Sequence, residues 1–158
     1  KYRRLPPALQ AEYDQLAAEG SLVIMPGAIL DWYKVFDDVD EYIIQQDFGV
    51  IAFGYDPYGA TEFVTRWSQE NGEMGLETVR QGVKTESVPL GELKLLAQQR
   101  SLIFDEELMK YAMGNAIVIQ DNNGNYKLSK KRSDEKIDNV AALMDAYVAF
   151  KRNQEAFM

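Results

Sequence analysis

The sequence predicts a single α/β domain, and three observations carry that prediction. Gly49–Tyr55 is an unbroken apolar run, as in a central strand buried on both faces. Amphipathic helical segments alternate with short strand-like segments on either side of it, which is the order of an α/β fold. The chain has 158 residues, 46% hydrophobic and 27% charged. That supports one core and leaves no room for a second of ordinary size.

The elements follow in order. Ala8–Glu19 places Leu9, Tyr13, Leu16 and Ala17 at helical spacing, and Gly20 suits its C-terminal cap. Ser21–Met25 reads as a short strand closed by Pro26-Gly27, a turn signal. Asp31 is positioned to cap a helix running to about Gln46, with Trp32, Val35, Phe36, Val39, Tyr42 and Ile43 as its buried stripe. The strand Gly49–Tyr55 ends in Asp56-Pro57-Tyr58-Gly59, and a helix follows from Ala60 to about Gln69 with Phe63, Val64 and Trp67 inward. Trp32 and Trp67 read as core anchors, and Tyr55 and Tyr58 as packing residues beside Asp56. Leu76–Val79 is a strand leading to the turn Arg80-Gln81-Gly82. A helix is expected from Pro89 to Gln99, a strand at Leu102–Phe104, and a helix capped by Asp105 running to Met113. Ala116–Gln120 and Tyr126–Leu128 flank Asp121-Asn122-Asn123-Gly124, whose Asn-Gly pair signals a hairpin. The last helix spans Asp138–Phe150.

Composition removes whole mechanisms. The chain contains no cysteine and no histidine. Disulfides, zinc–thiolate centres, thiol nucleophiles, Ser-His-Asp triads and histidine bases are therefore excluded. Catalysis would rest on carboxylates, Lys, Tyr or Ser, with an oxygen-preferring ion such as Mg²⁺ or Mn²⁺. No apolar run is long enough to cross a bilayer and no signal-peptide pattern is present, so a soluble intracellular chain is expected. The 17 Lys plus Arg against 25 Asp plus Glu give a net charge of −8, which at face value argues against a nucleic-acid partner.

Three features could carry chemistry. Asp56 closes the buried strand, where ligands bind in α/β sheets, although Asp also starts turns of this kind. Asp138 opens the last helix and is either a metal ligand or a capping carboxylate. Asp145 lies two helical turns further on the same face, as a third ligand or a solvated flank charge. The third feature is charge pattern. Tyr126–Lys136 carries five cations (Lys127, Lys130, Lys131, Arg132 and Lys136) and two anions, whereas Asp31–Asp56 carries seven anions and one cation. A basic hairpin can contact a DNA backbone or shield a sheet edge. Arg80 serves equally as a phosphate contact or a salt-bridge partner.

These pieces carry a resemblance. Ile51-Ala52-Phe53-Gly54-Tyr55-Asp56-Pro57-Tyr58-Gly59-Ala60 resembles the second acidic motif in the C-terminal nuclease domain of tailed-phage terminase large subunits. Pro26-Gly27 with Asp31-Trp32-Tyr33, Val79-Arg80-Gln81-Gly82 and Met113-Gly114-Asn115-Ala116 resemble further family segments in the same order. Asn125–Lys131 resembles the family hairpin, and Lys136-Ile137-Asp138-Asn139-Val140-Ala141-Ala142-Leu143 the third acidic motif. The match spans nearly the whole chain.

The resemblance implies a ribonuclease H-like fold: a mixed sheet flanked by helices, with carboxylates holding two Mg²⁺ or Mn²⁺ ions. It implies an endonuclease cutting concatemeric double-stranded DNA in the host cytoplasm, working with an ATPase domain, a terminase small subunit and a portal. Asp56 and Asp138 become the second and third metal-binding carboxylates, with Arg80 and the hairpin cations near DNA. The family's first strands and first catalytic Asp lie upstream of Lys1, so residues 1–158 read as a single nuclease-like domain in fragment form, with impaired activity expected. Another ribonuclease H-like nuclease, such as a resolvase or transposase core, and a non-catalytic DNA- or portal-binding module are the alternative readings.

Overall fold

Strand β1, Phe53–Tyr55, is short, and its neighbours on both faces determine where everything else sits. The computed structural model describes residues 2–102, 104, 107–131 and 136–158. Their helices are α1 Pro7–Ala18, α2 Trp32–Gln45, α3 Thr61–Asn71, α4 Val83–Gln98, α5 Glu107–Asn115 and α6 Asp138–Arg152. β1 pairs in parallel with β2, Leu76–Thr78, in the register Phe53↔Leu76, Gly54↔Glu77 and Tyr55↔Thr78. β3 (Ala116–Gln120) and β4 (Tyr126–Lys130) form a separate antiparallel hairpin.

Side chains alternate across a strand, so β1 serves two cores. On one face Phe53 meets Phe63 and Trp67, with ring centroids 5.6 and 4.7 Å apart, and Phe36 of α2 closes that cluster. On the other face lies α6, with Met144 and Val148 packed against Val79 and Leu93. The result is three layers: α2 and α3, then the strand pair, then α4 and α6. Val35, Phe36, Val39 and Ile43 of α2 and the aromatic anchor Trp67 lie inward as the helical spacing predicts, whereas Tyr42, expected in the same stripe, is exposed and packs on Phe48. Trp32 is only partly buried beside them.

Gly54 is the tightest point of this arrangement. A Cβ there would lie 2.1 Å from the carbonyl oxygen of Asp145 and 3.1 Å from the Ala149 Cβ, so only hydrogen lets α6 lie on β1. The C-terminal end of α6 is tied down by Arg152, whose Nη1 donates to the Thr78 carbonyl at 2.8 Å, and by Asn153, which donates to Glu77 at 3.0 Å. Tyr147 donates to Glu92 of α4 at 2.9 Å on the neighbouring side.

Several expectations are corrected. Residues 21–25 form no strand, because no neighbouring strand is present among the described residues, and Val23 is exposed. Only the last three residues of the run 49–55 pair in a sheet. Among the described residues β1 has one strand neighbour, so Val50 and Ile51 stay exposed rather than buried on both sides. Among the described residues the strands form a parallel pair and a separate antiparallel hairpin, so the expected mixed sheet is divided in two. α4 starts at Val83, not Pro89. Gly82 is its N-cap, Pro89 lies inside the helix, and the Glu86 side chain accepts from the Gly82 N–H at 2.9 Å. Asp138 is the first residue of α6, and its N-cap is the buried Ile137. Tyr58 is 92% exposed and so is not the packing residue expected. Leu102 and Phe104 are not in a strand, while Ile103 and the Asp105 cap lie outside the described residues.

Two glycine substitutions should have opposite signs. Gly54→Ala forces α6 away from β1 and should cost about 1–3 kcal/mol. Gly91→Ala meets open space on α4 and should gain about 0.5–1 kcal/mol. Urea denaturation midpoints of the two variants, relative to the parent chain, check both signs.

Candidate active site

Asp56 leaves the C-terminal end of β1 and does two local jobs. Its Oδ1 accepts the Tyr58 backbone N–H at 3.0 Å, closing the turn, and its Oδ2 accepts from Gln81 Nε2 at 2.8 Å. The turn reading of Asp56 and the ligand reading are therefore compatible: one carboxylate oxygen shapes the loop while the side chain stays at the strand end, half-buried. Gln81 sits in the Arg80-Gln81-Gly82 turn that follows β2, one strand over, which is what the parallel pairing brings into reach.

The contact at Gly54 puts Asp145 of α6 beside this loop. Burial pushes its carboxyl up to about 6, and the negative charges of Asp56 and Glu86 add to that, while the Asp56 backbone N–H works the other way. Two carboxylates thus converge at the end of a strand, and neither has a cation partner among the described residues. Glu86 adds a third negative charge nearby. Its oxygens are committed to the backbone N–H groups of Gly82 at 2.9 Å and Leu128 at 2.6 Å. Among the described residues no three acidic side chains are grouped as a metal cage.

Asp138 stands apart from the pair. It is exposed at the head of α6, seven residues before Asp145, which is roughly 10 Å along the helix axis. Its charge is felt by Tyr13 of α1, whose hydroxyl is pushed up by burial first and by Tyr111, Glu12 and Asp138 after it. The structure therefore brings Asp56 to Asp145, and no described contact joins Asp138 to either.

The basic hairpin docks on the N-terminal end of α4, through Ser87 and Glu86. Asp121 organises its loop, accepting the N–H groups of Asn123 and Asn125 at 2.9 and 2.8 Å. Lys127, Lys130, Lys131 and Lys136 are exposed and make no ion pair among the described residues, and Arg80 is likewise exposed. Arg132 lies outside the described residues. The free edge of β4 is covered by α4, so the lysines are not needed to guard it. Gln81 and Glu86 are the residues the sequence reading missed. Glu86 had a signal: an acid four residues after a glycine, close to a capping box.

Comparison with known proteins decides the family. Residues 8–154 match the family described as "Terminase large subunit, endonuclease domain". The chain belongs to that family. The terminase large subunit of Enterobacteria phage HK97 is 27% identical over 135 residues, covering 85% of this chain and 26% of that protein. The crystal structure of the HK97 bacteriophage large terminase superposes with a TM-score of 0.76 at 26% identity, covering 89% of this chain and 29% of that one. The chain thus spans between a quarter and a third of the length of these terminases. The fold is the ribonuclease H-like fold of the terminase nuclease domain, and the resolvase and transposase readings give way to it.

The raised carboxyl of Asp145 sets a pH dependence. An unfolded Asp releases its proton near 3.8, whereas the folded chain holds this one to about 6. Between those values the folded state binds more protons, so this residue's contribution to stability falls as pH rises through the window. Asp145→Asn should therefore gain melting temperature relative to the parent between pH 4 and pH 7, in EDTA. A difference between the two proteins that stays flat with pH would refute the assignment.

Proposed function

We propose that this terminase nuclease domain hydrolyses phosphodiester bonds of double-stranded DNA with the help of Mg²⁺ or Mn²⁺. The observation that carries the reading is the convergence of Asp56 and Asp145 at the end of β1, beside a hairpin of exposed lysines. Uncompensated carboxylates fit a hard divalent ion, which commonly takes one or two protein carboxylates and fills its remaining positions with water and substrate phosphate. Asp56 and Asp145 would hold such an ion. Asp138, on the same helix face two turns away, would serve the second ion of a two-ion site. When bound, the ions lower the pKa of water and offset charge on the leaving oxygen.

The chain's own residues do the rest. Gln81 holds the Asp56 carboxylate in orientation, leaving part of its acceptor capacity for an ion. Lys127, Lys130, Lys131, Lys136, Arg80 and Arg132 would contact the DNA backbone. Such contacts read no sequence and position the duplex over the carboxylates. In the longer terminase the domain would act with an ATPase domain, the small subunit and the portal, cutting concatemeric DNA in the host cytoplasm.

Nicking of supercoiled plasmid by the full 158-residue chain in Mn²⁺, with EDTA as control, tests the reading. Asp56→Asn should lower the rate on the order of 100-fold and Asp138→Asn should also lower it, with the fold retained. Equal nicking by the Asp56→Asn variant would sink the proposal. Binding of duplex DNA without any metal-dependent cleavage would instead support a non-catalytic DNA-binding module. Replacing Lys127, Lys130 and Lys131 with Ala should weaken duplex binding and reduce the slope of log affinity against log salt by roughly 3.

A further inference from the structure

Glu86 is the only charged residue that is buried among the described ones, at 4% exposure, and among them it has no ion-pair partner. A buried, unpaired carboxylate is costly unless hydrogen bonds satisfy it. Here backbone N–H groups do so from two places far apart in sequence. One oxygen accepts from Gly82, in the turn that presents Gln81 to Asp56. The other accepts from Leu128 of β4 at 2.6 Å. The next residue, Ser87, accepts from the Tyr126 N–H with its hydroxyl at 3.1 Å.

Tyr126 and Leu128 are alternate residues of one strand, so their N–H groups leave the same edge. Glu86 and Ser87 take the place of a neighbouring strand's carbonyls along that edge. The hairpin is thereby fixed to the first two turns of α4, and the Glu86 side chain also binds the turn from which Gln81 reaches Asp56. A lost acceptor at this point would loosen both attachments at once, because the two backbone N–H groups share one carboxylate.

We propose that Glu86 is a positioning residue that sets the basic hairpin relative to the Asp56–Asp145 pair. Through it, the lysines that meet the DNA backbone stay in register with the carboxylates. This rests on the nuclease reading above, in which both groups face the same duplex.

The test uses the full chain and three variants: Glu86→Gln, Glu86→Asp and Ser87→Ala. Glu86→Gln keeps the shape but turns an NH₂ toward one backbone donor. Circular dichroism and melting establish that each variant folds. Amide exchange then reads the docking directly, and Leu128 or Gly82, whichever faces the NH₂, should lose protection in Glu86→Gln. Affinity for a fluorescent duplex, measured against salt in EDTA, reads the consequence. The slope should fall by roughly 2–3 in Glu86→Gln, as though the hairpin lysines were released. Nicking in Mn²⁺ at saturating DNA should fall about 10-fold or more. Glu86→Asp should recover part of both. Ser87→Ala removes the second clamp alone and should give a smaller change in slope; it keeps the question open to decision if Glu86→Gln unfolds.

Lost amide protection with parental salt slope and parental nicking would show that Glu86 is structural only, and would overturn the proposal. So would a folded Ser87→Ala with an unchanged slope, should Glu86→Gln fail to fold. A parent chain that binds duplex but does not nick in Mn²⁺ refutes the nuclease reading, and Glu86 is then judged on the salt slope. A parent that does not bind duplex at all overturns both.

Discussion

Everything at this site depends on a helix lying directly on a strand. α6 crosses β1 where residue 54 has no side chain, and the space a methyl group would need is filled by the carbonyl of Asp145. The apolar contacts of Met144 and Val148 with Val79 and Leu93 hold the helix down. The Gly54 contact fixes its height. The carboxylate of the residue that makes this contact is then necessarily near the strand's end, where Asp56 begins the next turn. Packing and chemistry are thus one constraint: the close approach that completes the core also presses two like charges together. The cost appears in the raised pKa of Asp145, for which burial is the first cause and Asp56 the next. A bound divalent ion would reverse the sign of that interaction.

A second constraint comes from the detached hairpin. Two strands alone are marginal in water, and among the described residues no third strand lies beside β4. α4 supplies side-chain oxygens in its place. Glu86 and Ser87 are adjacent in sequence and sit in the helix's first two turns, so the hairpin inherits its orientation from the N-terminus of α4. That end also carries the Arg80-Gln81-Gly82 turn. The parallel pairing of β1 with β2 therefore determines, through one turn and one helix end, where the lysines stand relative to Asp56.

The sequence showed the helices well where a strong stripe met a clear boundary. The Asp31 cap and the Phe36, Phe63 and Trp67 anchors are examples, since local geometry and burial agree there. It showed Asp56 too, as the abrupt end of an apolar run. It misjudged what tertiary contacts decide. Pro89 looked like a helix start, but α4 begins six residues earlier at Val83, with Gly82 at its N-cap. Asp138 and Asp145 share a helix face, and periodicity cannot say which of the two meets Asp56. That depends on the crossing point at Gly54, a contact made by residues 91 positions apart in sequence. The capping position of Glu86 had a local signal, but its burial was hidden for a related reason. A charged residue in an amphipathic helix reads as solvent-facing, and nothing local reveals that a strand from residues 126–130 covers it.

Net charge was a poor guide to partners because charge acts over short distances. At 0.1 M salt the screening length is about 10 Å, so a ligand senses the face it approaches, not the sum. The chain's −8 is concentrated in the α2 region, where Lys34 and Arg66 offset only part of it by pairing with Asp38 and Asp37. That helix packs on the Phe53 face of the strand pair. α4, and the lysine hairpin docked on it, belong to the layer on the other face. The strand pair therefore separates the acidic helix from the basic hairpin. In the nuclease reading the DNA backbone would lie against the hairpin cations, with the Asp56–Asp145 pair at the strand end as the place of cutting. Those carboxylates would repel a phosphate by themselves. In that reading a bound divalent ion would convert that repulsion into attraction at the carboxylates, while the hairpin cations would hold the duplex with or without it.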